Sequence, residues 1–236
     1  PHSEYTGIAR LPMAESKKHR PEDVPFTIRN WDSRIAAYFY LADRIGIRQL
    51  GVWGGWSNKP PYKPHLPGLD IVKKLDAKWI TGTPGASIER EGFKNYSPEA
   101  LEKGMRNFLE KYGKEGLMAI CLGNEPHGPE AKVIENVKAY KILYEAIKAY
   151  DKNIHVIATS NPPEERYFRA GYHKYCDAYD FHIYEDYQGI YKQIEGFRTL
   201  MKKYDAVKPV HCTELGLNSQ GMTRYAVATD LVKKLT

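Results

Sequence analysis

Leu117-Met118-Ala119-Ile120-Cys121-Leu122-Gly123-Asn124-Glu125-Pro126 holds a strand and the turn that leaves it. The apolar run from Leu117 to Leu122 is too short for an ordinary helix and stops at a glycine, which predicts a buried strand. Its alternate residues differ in size: Ala119, Cys121 and Gly123 are small, whereas Met118, Ile120 and Leu122 are bulky. Side chains alternate across a strand, so the bulky set is expected to meet a helix layer and the small set to line a narrow interior. The polar string Asn124-Glu125-Pro126 then falls at the strand's C-terminal end.

The same rhythm extends to both sides. Helical spacing of Ile35, Tyr38, Phe39 and Ala42 predicts a helix over Asp32–Arg44. Strand signals follow at Gln49–Trp53 and Lys78–Thr81. Ser97-Pro98 reads as an N-cap with proline in the first turn, opening a helix to about Tyr112. Beyond Pro126 a long helix, about Ala131–Tyr150, leads to a strand at His155–Thr159. Another strand at Ala178–Ile183, a helix over about Gly189–Tyr204, a strand at Pro209–Thr213 and a helix from about Thr223 to Leu235 complete the series. Strand, helix, strand in this order implies parallel pairing with crossover helices. Neither GxGxxG nor GxxxxGK[ST] follows the early strands, which removes the usual marks of a nucleotide-binding open sheet. The expected fold class is therefore α/β, a (β/α)8 TIM barrel in one domain over 1–236, lacking the eighth strand in this chain. Its first strand is sought within Thr6–Pro12.

A second string, Cys212-Thr213-Glu214-Leu215-Gly216, ends a later strand as Asn124-Glu125-Pro126 ends the earlier one. Active sites of α/β barrels sit at the C-terminal strand ends. Counting parity, Ala119, Cys121 and Glu125 share one face, and Val210, Cys212 and Glu214 are expected to share the matching one. His211 then points outward. Two facing carboxyls suit glycoside hydrolysis, in which one group protonates the leaving oxygen while the other attacks or activates water. Neither charge is expected to be buried in the core. Between the strings lies Asp180-Phe181-His182-Ile183-Tyr184, whose Tyr184 hydroxyl can orient a carboxylate and whose His182 can tune an acid or bind a sugar hydroxyl.

Asn124-Glu125-Pro126 on the fourth strand, His182-x-Tyr184 on the sixth and Thr213-Glu214-x-Gly216 on the seventh together resemble clan A of the glycoside hydrolases, the retaining barrel enzymes with paired glutamates. The resemblance covers roughly Asp32 to Gly221. It implies Glu125 as acid/base, Glu214 as nucleophile, Tyr184 against the nucleophile and Asn124 on the sugar 2-hydroxyl. It also implies a leaning to β-linked oligo- or polysaccharides. Clan members usually carry an arginine on the second strand. Here Gln49–Trp53 has none, and Arg48 lies at the strand's start.

Other candidates are less specific. Trp53 and Trp56 lie in a Gly/Pro-rich loop, where aromatic rings can stack on sugars or simply pack the loop. His127 follows Pro126 and could line a subsite or stand in solvent. The net charge of +6 comes from lysines spread along helix faces, with no compact basic motif, so no nucleic-acid partner is expected. No apolar run approaches the roughly 20 residues of a membrane span, and Pro1–Arg20 lacks a signal-peptide core, so no membrane partner is expected. Cys121, Cys176 and Cys212 make no CxxC pair, and neither HExxH nor His-x-His occurs, so neither metal nor other cofactor is expected. Two alternatives stay open: a noncatalytic carbohydrate-binding barrel, and a metal-dependent hydrolase built on Glu125, His182, Glu214 and His127.

Overall fold

The computed structural model describes residues 31–53, 56, 64–217 and 222–235. The segment Thr6–Pro12 lies outside them. Six parallel strands form one sheet in sequence order: β1 (Gln49–Gly51), β2 (Lys78–Gly82), β3 (Leu117–Cys121), β4 (His155–Ser160), β5 (Ala178–Ile183) and β6 (Val210–Leu215). The helices are α1 (Trp31–Arg44), α2 (Leu69–Lys74), α3 (Gly85–Glu91), α4 (Pro98–Tyr112), α5 (Glu130–Tyr150), α6 (Glu165–Arg169), α7 (Gln188–Tyr204) and α8 (Arg224–Leu235), with 3-10 turns at Gly92–Asn95 and Tyr172–Tyr175. Each strand pairs with the next, as successive crossovers require. Among the described helices none is long and apolar enough to cross a membrane.

The main core lies between the outer face of the sheet and the helices, where Trp79, Ile120, Leu122, Val156, Tyr179 and Phe181 meet Leu101, Met105, Tyr140 and Phe197. A smaller cluster fills the inner face: Ala119, Cys121 and Ile157, with Trp53, Ile80 and Met118 against them. Trp53, just past β1, thus packs in the same inner cluster as Ile157 of β4, three strands away in sheet order. The sheet is curled into a half-barrel, and its small inner residues permit the curl.

Two departures from strict alternation come from β-bulges. Between β2 and β3 the register jumps from Trp79↔Leu117 to Ile80↔Ala119, so Met118 is an extra residue and packs inside rather than on the helix layer. Between β5 and β6 it jumps from Phe181↔Cys212 to His182↔Glu214, making Thr213 the extra residue. Parity counted back from Glu214 therefore fails below the bulge. Val210 packs on the outer core and Cys212 lines a groove beside Phe181, whereas His211 pairs with Asp180 and turns inward to His155.

Candidate active site

Glu125 leaves β3 on a turn that the fold holds from below. Its backbone φ is 50, a left-handed conformation costing a non-glycine residue about 1–2 kcal/mol. The Glu125 N–H donates to the Ser160 carbonyl at 3.0 Å and lies 3.2 Å from the Ser160 hydroxyl, which ties the turn to the end of β4. Under Asn124 sits Glu89 of α3, only 3% exposed. The Asn124 N–H donates to it at 2.7 Å and the Thr159 hydroxyl at 2.6 Å, and the Tyr140 hydroxyl donates to it as well. Burial pushes the Glu89 carboxyl above its ordinary range, and these donors pull the other way. Gly123 is required here because a Cβ would overlap the Glu89 carboxyl. Nothing in the sequence marks Glu89, since its partners are 35 to 70 residues away.

Glu214 stands at the end of β6, after the Thr213 bulge. The Tyr184 hydroxyl donates to its Oε2 at 2.5 Å. His182, on β5, lies between the two glutamates: its Nδ1 is 2.9 Å from Glu125 Oε1 and 3.1 Å from Glu214 Oε2. One oxygen of each carboxyl and a ring nitrogen of His182 all lie within 4.8 Å of one another. The two carboxyls differ in surroundings. Glu125 is 45% exposed and Glu214 only 8%, so the expectation that neither charge is buried is corrected for Glu214, which β6 and Tyr184 enclose.

A buried relay orients the imidazole. Thr213 donates its hydroxyl proton to Asp180 at 2.6 Å and therefore presents lone pairs to His182 Nε2, 3.2 Å away. The Thr213 N–H also donates to Asp180, at 2.9 Å. Burial pushes the Asp180 carboxyl up to about 7, against the hydrogen bonds from Thr213 and the nearby His182. The Glu125, His182 and Glu214 atoms are also spaced to hold a divalent ion, and His127 is outside that group.

The remaining candidates spread out. Asn124 is exposed beside Glu125, and His127 is exposed in the loop after Pro126. Trp53 lies over Gly51 and Gly82 on the inner cluster. Trp56 turns the other way: its Nε1 donates to the Gly82 carbonyl at 3.1 Å, and its ring meets Phe108 of α4 at 5.1 Å. The structure thus brings Glu125, His182, Tyr184 and Glu214 together and sends Trp56 to the helix layer. Arg48 pairs with Asp43 and donates to the Leu75 carbonyl, away from the glutamates.

No family model matches the sequence, and no curated protein matches it. Solved structures do resemble the fold. A calcium-binding mutant of beta-glucuronidase 2 from Bacteroides uniformis superposes with a TM-score of 0.60 at 12% identity, covering 85% of this chain and 26% of that one. A putative alpha-L-fucosidase from Bacteroides thetaiotaomicron gives 0.54 at 15% identity, over 84% of this chain and 70% of its own. A GH53 catalytic domain from Ignisphaera aggregans gives 0.51 at 16% identity, over 83% and 66%. The chain therefore spans about a quarter of the glucuronidase and about two thirds of the other two. At such identities the likeness is one of fold: the α/β half-barrel superposes on part of the TIM barrels of these structures.

Proposed function

We propose that the chain is the catalytic part of a retaining glycoside hydrolase acting on a β-linked oligo- or polysaccharide, with Glu214 as nucleophile and Glu125 as acid/base. The observation that carries this reading is the close approach of the two carboxyls, oxygen to oxygen within 4.8 Å. Retaining enzymes hold their carboxyls about 5–5.5 Å apart, whereas inverting ones leave about 6.5–9.5 Å for a water. The close approach supports the shorter class. In the first step Glu214 attacks the anomeric carbon while Glu125 gives its proton to the leaving oxygen, and a covalent glycosyl-enzyme forms. In the second step Glu125 takes a proton from water, which displaces Glu214.

The neighbours fit these roles. The Tyr184 hydroxyl donates to Glu214 and so favours an accepting, attacking carboxylate. His182 turns Nε2 to Thr213 and sets Nδ1 between Glu125 and Glu214, so the ring fixes the two carboxyls relative to one another. The open Glu125 meets leaving group and water, while the enclosed Glu214 meets only the sugar carbon. Asn124 is assigned to the sugar 2-hydroxyl and Trp53 to a stacking surface at the mouth.

Hydrolysis of a panel of chromogenic β-glycosides tests the proposal. Glu125→Gln and Glu214→Gln are each expected to lower turnover by about 10²–10⁴-fold or more. Near wild-type turnover in either variant would sink the assignment. Azide should rescue Glu214→Ala and yield a glycosyl azide of inverted configuration. Because the same three side chains can hold a cation, the assay is repeated with chelator. Activity that survives supports the two-carboxyl mechanism, and activity lost to chelator supports a metal-dependent one.

A further inference from the structure

At the opposite rim of the half-barrel a second pair of side chains converges. His155 opens β4 and His211 is the second residue of β6. Each sits on the inner face, since His155 is in register with Ala119 and His211 with Asp180. Their Nε2 atoms are 3.3 Å apart, with ring centroids at 5.4 Å and planes inclined by 77°. The rings reach across the intervening β5, and His211, level with Asp180, stands roughly 7 Å along the strands from Glu214, level with His182, at about 3.3 Å per residue.

Two explanations account for nitrogen atoms facing each other at this distance. One ring can donate a proton to the other, or a cation can sit in the angle between two lone pairs. Tetrahedral zinc with Zn–N bonds of about 2.0–2.1 Å places two imidazole nitrogens about 3.3–3.4 Å apart. The pair is already at that spacing, so the ion requires no rearrangement of the strands. His155 Nδ1 lies 4.0 Å from Asp177 Oδ2, too long for a hydrogen bond but close enough to favour a proton on Nδ1 and leave the Nε2 lone pair free. Asp177 is itself fixed by Lys148 at 2.5 Å and by the Val156 N–H at 2.7 Å. Burial lowers both histidines from the ordinary imidazole range. His155 keeps 37% of its side chain exposed, which leaves room for solvent to complete the coordination.

We propose that His155 and His211 form a two-histidine chelate for a divalent transition metal ion of the zinc class at the N-terminal rim of the half-barrel, completed by two solvent positions. The ion takes the place of the Nε2···Nε2 hydrogen bond, with the His211 proton carried on Nδ1 instead, and ties β4 to β6 across β5. The site is separate from Glu125, His182 and Glu214 and does not depend on their proposed role.

The whole chain, freed of metal with chelator, is titrated with cobalt chloride while visible absorption is followed, because tetrahedral cobalt gives far stronger bands than the solvated ion. One ion per chain is expected, displaced by zinc chloride. His155→Ala and His211→Ala should each weaken binding by at least about tenfold, with His155→Gln as a variant that keeps the bulk of the ring. Glu214→Gln should bind as the wild type does. Absence of a saturable band at millimolar cobalt overturns the proposal. So does a band that survives both histidine substitutions, or one lost with Glu214→Gln.

Discussion

Asp180 lies beneath His182 with no solvent of its own, and its ionisation links the site to the stability of the fold. Its folded carboxyl is pushed up to about 7 by burial, while an unfolded aspartate ionises near 3.9. Between these values the folded chain holds a proton that the unfolded chain has released, so this group's contribution to stability falls as pH rises from about 4 to 7. Urea unfolding of wild type and Asp180→Asn at several pH values isolates the effect, since other carboxyls cancel in the comparison. The wild type should lose a few kcal/mol relative to Asp180→Asn across that window. A constant difference would show that Asp180 stays ionised throughout. At this scale the sequence was informative where chemistry sits in short strings: Asn124-Glu125-Pro126, His182-x-Tyr184 and Thr213-Glu214 each announce themselves. It was silent on Glu89 and on the hydroxyl of Thr213, because both act through partners that only the folded chain brings near.

Elements hold the two glutamates by different means, and each means can be tested. On the Glu125 side, α3 is fixed to the end of β3: the Thr83 hydroxyl donates to the Leu122 carbonyl at 2.7 Å, and Glu89 fills the space above Gly123. Gly123→Ala drives a methyl into that carboxyl and is expected to cost about 1–3 kcal/mol. It should also lower turnover by displacing the Asn124–Glu125 turn, read from the urea midpoint together with the chromogenic assay. On the Glu214 side, α8 is locked by Lys234, whose fully buried ammonium donates to the Gly216 carbonyl at 2.6 Å and to the Glu185 carbonyl, and pairs with Asp230 at 2.7 Å. Lys234→Met leaves Asp230 without its cation and should cost about 3–5 kcal/mol, with part regained when Asp230→Asn is added. An additive cost in the double variant would show that the pair is not coupled. The longer elements were readable from periodicity and caps. The Ser97 hydroxyl accepts from the Ala100 N–H at 3.1 Å, with Pro98 in the first turn, as the dipeptide predicts. Short α2, α3 and α6 were not readable, since five to seven residues carry too few turns to show a period. The bulges at Met118 and Thr213 were not readable either, because an extra residue is defined by the partner strand and not by its own chain.

For the whole molecule, the alternation of elements implied a parallel sheet, and small inner residues favoured a barrel over an open sheet. The degree of closure lies in inter-strand contacts that no local pattern encodes. Among the described residues β1 and β6 are both unpaired on one side, so the curl is held by the inner cluster and by contacts spanning strands. The candidate site is one such contact. Glu125 follows β3, Ser160 ends β4, His182 is on β5 and Glu214 is on β6, so a ligand gripped by both carboxyls ties four of the six strands together. A sugar-shaped cation between the carboxyls should therefore stabilise the entire fold and not a loop alone. At a free concentration one hundred times its dissociation constant, such a ligand adds about 2.7 kcal/mol. For a chain of this size that corresponds to a rise of roughly 5–11 °C in the unfolding midpoint. Scanning calorimetry with a panel of iminosugars of gluco, galacto and manno configuration should show the rise for at least one member. Glu214→Gln should lose most of it, because the cation then faces a neutral amide beside Tyr184. A panel that leaves the midpoint unmoved at saturating concentration would count against a sugar site at this mouth, whereas a rise retained in Glu214→Gln would place the ligand elsewhere on the chain.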